Sequence, residues 1–531
     1  MMTITQVEPT PATRAQHQAI DALRRQLGDD DGNTIIEDAS ELAFFGHDVF
    51  RAGGPLAAVV RPRDVAQVQT VVRTLVSHGV AVIPRGGGLS YTDGFLATLA
   101  PSVLLDLAGL DRMVELNLQD RYVTVETGMT WAALDAALEP HGLRTPFWGP
   151  LSGLKSTIGG ALSQSSVFLG SGLNGSVGDA VLSIDVILAD GSLLRTGSAA
   201  AGNSAPFLRY FGPDMSGLFI GDAGAMGVKV RATFRLVPRP QEIDFLSFEY
   251  DDPLQMLAAM SDVSRQGLAS ECFAFDPVLT EQRKKRMSLF ADAKTLLQVV
   301  KQSGIKAGLG LVTAGRDFIA AHKYSAHVAI EGDNKAVVAL RLEKARLALS
   351  AHGRQTENSF PKALRAQPFM APNAMLGPAG ERWVPVHGIF PHSQAQAAFT
   401  ALEALFAERR ADLDTHQIRV GYLCTTISNQ ALLIEPVFYW PDSHPEYHKR
   451  MVEADYLRRC GEPSANPAAT AAVVALKREA ADLMRSLGGT HFQIGKFYTY
   501  RDGRDATSLA LFDAIKRALD PTGLMNPGVL K

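Results

Sequence analysis

Three consecutive glycines, placed directly after a buried strand, constrain the fold of this chain more than any other feature. The apolar run Val80–Pro84 leads without a break into Arg85, Gly86, Gly87, Gly88, Leu89 and Ser90. An earlier apolar strand, Ala57–Val60, precedes it, and after Asp64 the apolar residues recur at helical spacing. The pattern predicts a strand–helix–strand unit that ends in a tight loop, where α/β folds expose backbone N–H groups to ligands.

The glycine loop has the composition of a site for a phosphate-bearing ligand. Glycines lack Cβ atoms that would hold a diphosphate away, and they permit the positive φ angles that turn successive N–H groups inward. Ser90 adds a hydroxyl donor, although a purely structural turn is the alternative interpretation. A second segment, Ser156–Ser163, again combines glycines with hydroxyls. Two such segments favour a long ligand with a diphosphate and an extended ring system.

Strands, rather than alternating helices, follow the glycine loop. Two are legible at Val103–Leu107 and Tyr122–Glu126, and they predict a mixed α+β domain instead of a Rossmann domain. The stretch Gly170–Gly175 matches the dinucleotide pattern G-x-G-x-x-G. An extended apolar run follows it instead of a helix that could receive a diphosphate, so we interpret this stretch as a loop.

The second half of the chain has a different pattern of predicted strands and helices. Two prolines in Val237–Pro240 mark a boundary, and strand–helix pairs beyond it predict an antiparallel sheet covered by helices on one face. We therefore divide the chain into residues 1–240, a second domain at 241–490, and a C-terminal segment at 491–531 that returns to the first domain.

Composition excludes several classes of protein. The formal net charge of -3, with scattered lysines and arginines, gives no basic field for nucleic acid. The three cysteines are widely spaced and fit neither a disulfide scaffold nor a clustered metal site, which indicates a reducing compartment. No run reaches eighteen uninterrupted apolar residues, and residues 1–9 lack the pattern of a signal peptide. We expect a cytoplasmic protein without a membrane span.

Several blocks in a fixed order carry a family resemblance. They are Val59–Pro62, Pro84–Gly88, Ser156–Gly160, Gly178–Gly191, Gly212–Val228 and the tail Asp520–Gly528. Their order resembles the FAD-binding domain of the vanillyl-alcohol oxidase and p-cresol methylhydroxylase family. The chain is also similar to the FAD subunits of D-lactate dehydrogenase and glycolate oxidase. The resemblance implies an α+β fold, with a two-part FAD-binding domain of the p-cresol methylhydroxylase type and a helix-covered antiparallel-sheet cap domain.

The resemblance also implies FAD as the cofactor, with its diphosphate on the glycine loop and hydride transfer from substrate to flavin N5. The residues expected to contact the cofactor are Arg85, Gly86, Gly87, Gly88, Leu89, Ser90, Pro150, Ser156, Thr157, Gly159, Gly160, Val228 and Asn526. Several relatives attach FAD covalently through a histidine at the position of Leu89, so a non-covalent cofactor is expected here. A cap histidine, His387 or His392, is the alternative point of attachment.

Relatives that oxidise hydroxy acids often carry a histidine-rich metal motif. The corresponding stretch here, Gly421–Thr426, contains no such motif, so no metal is predicted.

The candidate catalytic residues lie mainly near the C-terminus. Alcohol oxidation needs a base for the hydroxyl proton, and His491 is the candidate because its pKa suits this role. Lys496, Tyr498 and Arg501 could hold an anionic or phenolic oxygen, unless they are only alternating polar residues at a strand edge. Asp179 stands where phenol-oxidising members of the family can place a catalytic acid, although it could equally belong to the loop framework.

A cap strand at Leu433–Trp440 offers further side chains. Alternate residues along it, among them Glu435 and Tyr439, would face either the flavin or the helices, as would Tyr422 on a neighbouring strand. Packing in an aromatic core is the simpler interpretation of these residues.

Three functional hypotheses follow. The first is an FAD-dependent oxidase or dehydrogenase that oxidises the CH–OH group of a small organic substrate, either a hydroxy acid or an alcohol. The second is oxidation of a para-substituted phenol or aromatic alcohol, and the third is a catalytically silent binding protein with a flavin fold. The expected partners are a small-molecule substrate and an electron acceptor, which could be oxygen, a quinone, a cytochrome or a flavoprotein. Whether the protein forms a homodimer is left open by the sequence.

Overall fold

In the computed structural model, which describes residues 11–28, 34–289 and 323–531, the strand before the three glycines lies in a four-stranded sheet. The strands of this sheet are β1 (Ile35–Ile36), β2 (Ala58–Val60), β3 (Ala81–Arg85) and β4 (Ser102–Asp106). Their spatial order is β1-β2-β4-β3, and β4 runs parallel to both of its neighbours. The strand–helix–strand prediction is confirmed, because a helix at Val65–Ser77 connects β2 to β3. The Asp64 side chain caps this helix by accepting from the Gln67 N–H at 2.8 Å.

A five-stranded sheet and a two-stranded sheet complete the first half of the described chain. Their strands are β5 (Met113–Asn117), β6 (Tyr122–Glu126), β7 (Leu143–Arg144), β8 (Val181–Ile187), β9 (Leu193–Arg195), β10 (Val228–Arg235) and β11 (Val237–Pro238). Five of them form an antiparallel sheet in the order β5-β6-β10-β8-β9, and β7 pairs with β11. This half is a mixture of helices and sheets without Rossmann alternation, as the sequence predicts.

The cap is built on an eight-stranded antiparallel sheet. Its strands are β12 (Glu242–Tyr250), β13 (Glu271–Phe275), β14 (Tyr324–Gly332), β15 (Arg354–Thr356), β16 (Arg382–Pro385), β17 (Gly388–Pro391), β18 (Arg419–Ile427) and β19 (Ala431–Trp440). The order is β15-β12-β14-β13-β18-β19-β16, and β17 also pairs with β19.

Helices cover one face of the cap sheet. The helices of the described residues are α1 (Pro11–Leu27), α2 (Ala39–Phe45), α3 (Val65–Ser77), α4 (Trp131–Leu138), α5 (Ile158–Ser163), α6 (Ser171–Asn174), α7 (Pro253–Arg265), α8 (Pro277–Leu289), α9 (Lys335–Ser350), α10 (Ser359–Ala366), α11 (His392–Glu408), α12 (Arg410–Thr415), α13 (Glu446–Met451), α14 (Ala454–Cys460), α15 (Pro467–Ser486) and α16 (Ala506–Leu519). Buried side chains of α7, α9, α11 and α15 form one core with Phe248, Ile434 and Phe438 of the sheet. The opposite face of the sheet packs against Trp148 and Phe168 of the first half of the chain and against Phe360 of α10.

The C-terminal tail returns to the first sheet. Met525 forms a parallel bridge with Val82 of β3, and the Asn526 N–H donates to the Val82 carbonyl at 2.8 Å. The chain therefore ends beside the strand that leads into the glycine loop. The division into 1–240, 241–490 and 491–531 stays a prediction. Among the described residues, none of the helices combines the length and the apolar character that a membrane crossing requires.

Candidate active site

The glycine loop presents a row of unsatisfied backbone donors. Residues 86–90 follow β3 in irregular conformation, and none of their backbone N–H groups donates a hydrogen bond to another described residue. The loop itself lines a cavity. Since a buried N–H without a partner is costly, such a row indicates a place for an acceptor-rich ligand.

The three glycines are required mainly by packing within the protein. A Cβ at Gly86 would lie 2.1 Å from the Thr157 hydroxyl oxygen, and one at Gly87 would lie 2.0 Å from the Lys155 carbonyl oxygen. At Gly88 it would lie 2.1 Å from the Arg85 guanidinium, and the φ of +76° is itself unfavourable for other residues. The sequence argument that a Cβ would obstruct a diphosphate is therefore incomplete. The glycines let the loop lie directly against the second glycine segment.

That second segment lines the same cavity. Thr157 caps the short helix α5, and its hydroxyl accepts from the Gly160 N–H at 3.3 Å. Gly159 lies so close to Thr127 that a Cβ would approach the Thr127 Cβ to 2.8 Å. The Ser156 hydroxyl is buried and has no hydrogen-bond partner among the described residues. The Ser156 hydroxyl is therefore available to hydrogen-bond a ligand in the cavity.

Most of the remaining predicted cofactor contacts lie at or near the cavity. Pro150 and Arg85 line it, and the Arg85 guanidinium carbon lies 4.6 Å from the centre of the Phe45 ring. Val228 does not line it, although its neighbours Gly227 and Lys229 do. Asn526 lies behind the wall, where its side-chain amide donates to the carbonyls of the lining residues Gly94 and Ala223 at 2.7 and 2.6 Å.

The cavity has a volume of about 320 Å³ and reaches from the glycine loop to the cap sheet. This volume falls within the range of ligand pockets, roughly 300–1,000 Å³. The cap contributes side chains from β16, β18 and β19, among them Trp383, Leu423, Thr425, Leu433, Glu435 and Tyr439. One cavity therefore joins a row of backbone donors to a wall of cap side chains.

Strand alternation puts an acid on this wall. Leu433, Glu435, Val437 and Tyr439 occupy alternate positions of β19 and all line the cavity, whereas Ile434 points into the helix-covered core. Glu435 is 7% exposed, and no described residue donates a hydrogen bond to its carboxyl group.

The charge state of this acid depends on its surroundings. Burial raises the pKa of Glu435 to about 8, although the positive charge of Arg283 partly opposes the shift. Arg283 lies on α8 and also lines the cavity. An acid with so strongly raised a pKa in a ligand cavity is a candidate for proton transfer.

The predicted base His491 does not line the cavity. Its Nδ1 lies 2.6 Å from the His387 carbonyl oxygen, and its ring stacks on Tyr498 with centroids 4.1 Å apart. Burial lowers the pKa of His491. Tyr498 accepts a hydrogen bond from the His387 N–H at 2.9 Å, so both predicted residues are engaged in the wall behind the cavity. Phe492 and Gln493, the next residues along the chain, do line it.

The other predicted catalytic residues lie elsewhere. Lys496 and Tyr498 line a separate pocket of about 420 Å³, and Lys496 donates to the Leu96 carbonyl. Burial lowers the pKa of Lys496 to about 7. Asp179 is on the surface, where its carboxylate accepts from the Ser176 N–H at 2.7 Å in a capping box. Of the two interpretations of Asp179, this geometry favours the structural one. Arg501 forms an ion pair with Asp513 at 2.8 Å.

Neither cap histidine, His387 nor His392, lines the cavity. His387 is fully buried beside Phe492, with ring centroids 4.0 Å apart, and does not line the cavity. His392 begins α11, where its ring nitrogens lie 3.0 Å from the Ser261 hydroxyl and 3.1 Å from the Asn429 carbonyl. Leu89 lines the cavity but has no nucleophilic atom.

The cap wall of the cavity contains residues that the sequence pattern does not identify as functional. The strand pattern leaves open whether Glu435 and Tyr439 face the flavin or the helices, and no pattern in the sequence marks Arg283, yet all three line the cavity. Strand alternation alone could have grouped Glu435 with Tyr439, but not decided which face of the sheet meets the cavity. Tyr422, the third residue of that group, packs on Phe399 and lies on the helix side.

Two family models match the chain. The FAD binding domain matches residues 55–197, and the C-terminal domain of FAD linked oxidases matches residues 464–530. These regions contain the glycine loop, the second glycine segment and the returning tail. The matches confirm the predicted resemblance and show FAD as the cofactor.

Two similar proteins each match about half of the chain. Glycolate oxidase subunit GlcD of Bacillus subtilis (strain 168) is 28% identical over 250 residues, which are 46% of this chain and 51% of that protein. D-2-hydroxyglutarate dehydrogenase of Xanthomonas citri pv. viticola is 29% identical over 269 residues, 50% of this chain and 52% of that protein. The chain thus spans about half the length of the relatives it matches.

A solved structure extends the likeness to the whole fold. The structure of p-cresol methylhydroxylase with substrate bound has a TM-score of 0.71 and 16% identity, and the likeness covers 97% of each chain. The predicted α+β fold class is confirmed by this likeness together with the antiparallel cap sheet.

Proposed function

Because this chain carries the FAD-binding domain and the C-terminal domain of FAD-linked oxidases, we propose that it oxidises the CH–OH group of a small organic substrate. Bound FAD supplies a two-electron acceptor for the hydride of the substrate. The observation that carries the proposal is the continuity of the cavity between the donor row at 86–90 and the carboxyl group of Glu435.

The residues on the loop side fit FAD. The unpaired N–H groups of 86–90 would donate to the diphosphate, and the unpartnered Ser156 hydroxyl would supply a further hydrogen bond. Arg85 adds a positive charge on this side of the cavity. The absence of a nucleophile at Leu89, together with the positions of His387 and His392, supports non-covalent binding.

On the cap side, we assign proton transfer to Glu435. Removal of a hydride from a CH–OH carbon requires loss of the hydroxyl proton, and Glu435 is an acid that faces the cavity with a pKa raised by burial to about 8. Its ionised form would accept this proton. His491 and Asp179, the catalytic candidates from the sequence, do not line this cavity and would need a rearrangement to reach a substrate in it.

A para-substituted phenol is a second candidate substrate. Aromatic side chains, among them Tyr91, Trp383 and Tyr439, line the cavity, and the Tyr91 and Trp383 rings meet edge to face at 5.7 Å. Such walls bind planar rings. The likeness to p-cresol methylhydroxylase is consistent with this candidate but concerns the fold alone.

We further propose a cytoplasmic location and an electron acceptor among oxygen, a quinone, a cytochrome and a flavoprotein. Cys272, Cys424 and Cys460 are all free and buried, which supports a reducing compartment. Reoxidation of the substrate-reduced protein by air, compared with reoxidation by a quinone or a one-electron dye, would separate an oxidase from a dehydrogenase.

Anaerobic mixing of the purified protein with a panel of alcohols, hydroxy acids and para-substituted phenols tests the proposal. Loss of the visible flavin absorption with a CH–OH substrate is the expected result. Bleaching by phenols alone would favour the second candidate. A protein that purifies without FAD and takes none up would instead support the silent binding protein.

A further inference from the structure

We infer that the separate pocket lined by Lys496 and Tyr498 is a binding site for a small molecule that carries a phosphate group. This second pocket has a volume of about 420 Å³, and no described residue lines both it and the cavity of the glycine loop. Ligand pockets span roughly 300–1,000 Å³, so it is large enough for a compound of metabolite size. The inference goes beyond the proposed function, because oxidation in the first cavity does not involve the second pocket.

Positively charged side chains dominate the lining of the second pocket. Its charged residues are the cations Arg478, Arg485, Lys496 and Lys531 and the acids Asp482 and Asp502. Arg485 pairs with Asp482 at 3.6 Å along α15. When all of them are ionised, the lining side chains of the described chain carry two more positive than negative charges. A concave surface with an excess of one sign concentrates small ions of the other sign.

Two of these cations lack a carboxylate partner among the described residues. The Arg478 guanidinium carbon lies 4.2 Å from the centre of the Phe497 ring, and the guanidinium takes part in no ion pair of the described chain. The Lys496 ammonium donates to the Leu96 carbonyl and likewise forms no ion pair with a described residue. A guanidinium has five N–H donors and an ammonium has three, so both groups retain donors for the oxygens of a ligand.

The charge of Lys496 is poorly compensated by its surroundings. Burial lowers its pKa to about 7, although the negative charge of Asp93 opposes the shift. A phosphate monoester carries about 1.5 to 2 negative charges at pH 7 and three strong acceptor oxygens. It therefore matches the charge excess of the second pocket, and arginine and lysine side chains both bind phosphate oxygens well. A carboxylate, with a single charge, would leave part of that excess unbalanced.

Calorimetry with the FAD-loaded protein tests the inference, because bound FAD keeps the probes off the glycine loop. The probes are inorganic phosphate, ribose 5-phosphate and, as the uncharged control, ribose, all at one ionic strength. We expect ribose 5-phosphate to bind with a Kd below about 1 mM, phosphate to compete with it, and ribose not to bind. Vesicles of phosphatidylglycerol are a further probe. Binding to these vesicles without binding of ribose 5-phosphate would identify a lipid surface as the partner and overturn the inference.

Two substitutions in the second pocket should change the affinity for ribose 5-phosphate in opposite directions. Arg478→Gln should weaken binding about tenfold, because a charge-assisted hydrogen bond is lost. Asp502→Asn should strengthen binding a few-fold, since it removes an acid of the lining that repels the phosphate. Arg265→Gln is the control, because Arg265 pairs with Asp262 on α7 and does not line the pocket. No binding to the wild type, or the same affinity in the wild type, Arg478→Gln and Asp502→Asn, would overturn the inference.

Discussion

The two ends of the cavity are built in different ways. The glycine-loop end is made by one continuous segment, residues 86–90, which packs against a second short segment at 155–157. The cap end brings together Arg283 from a helix with Trp383 and Glu435 from two strands of the sheet. A local segment carries its function in consecutive residues, whereas a wall assembled from distant segments shows no such motif.

The largest expected effect is at the local end. Gly87→Asp would drive a Cβ to 2.0 Å from the Lys155 carbonyl oxygen and add a carboxylate among donors meant for a diphosphate. We expect no FAD to remain in the purified variant, as measured by its absorption spectrum. Leu89→Asp adds the same charge while keeping all three glycines, and it should also lose FAD.

A glycine in open surroundings provides the control for these variants. Gly202→Asp places its Cβ where no atom lies within 4 Å, and it should keep its full FAD content. Normal FAD content in both Gly87→Asp and Leu89→Asp would mean that the loop does not bind the diphosphate.

The second largest effect is expected at the cap end of the cavity, for a substitution of Glu435. Glu435→Gln keeps the size of the side chain but cannot accept a proton, so reduction by substrate should slow about 100-fold or more while FAD stays bound. Stopped-flow absorption under anaerobic conditions measures this half-reaction. His491→Asn, behind the wall, should change it only a few-fold. If His491→Asn slowed flavin reduction more than Glu435→Gln did, His491 would be assigned as the base instead.

The sequence allowed prediction of what lies in continuous segments. The glycine loop, the strand–helix–strand unit and the returning tail are each coded by local pattern, and the comparisons confirm the fold class and FAD. The candidate catalytic residues are harder to predict, because the His491 segment approaches the cavity through Phe492 and Gln493 while His491 itself does not line it. Which side chain faces a cavity depends on tertiary packing that spacing alone does not specify.

The cap acid should also set a pH dependence. Proton acceptance needs the ionised form of Glu435, and burial raises its pKa to about 8. The rate of flavin reduction should therefore increase about tenfold per pH unit well below 8 and level off above it. Measuring this rate between acidic and alkaline pH provides the check. In Glu435→Gln the rise should disappear, and an unchanged profile in that variant would assign the titration to another group.

A smaller effect is expected at the second glycine segment. The Ser156 hydroxyl is buried without a partner, and a hydrogen bond to FAD would contribute about 1 kcal/mol. Ser156→Ala should weaken FAD binding about fivefold in a fluorescence titration of the apoprotein. An affinity equal to that of the wild type would remove Ser156 from the cofactor site.

Acid precipitation should leave no flavin on the polypeptide. Leu89 lacks a nucleophile, His387 does not line the cavity, and His392 contacts Ser261 at the start of α11. All yellow colour should appear in the supernatant. Flavin fluorescence retained by the denatured chain on a gel would require a covalent link and a different position for a cap histidine.

A crystal structure of the FAD-loaded protein, chemically reduced so that a bound substrate is not consumed, would test most directly whether one cavity joins cofactor and substrate. We expect diphosphate oxygens within hydrogen-bond distance of the N–H groups of the glycine loop, residues 86–90. At the opposite end, the CH–OH carbon of the substrate should lie beside Glu435, between Trp383 and Leu433. FAD bound away from the glycine loop, or a substrate that never contacts the Glu435 wall, would contradict the shared cavity.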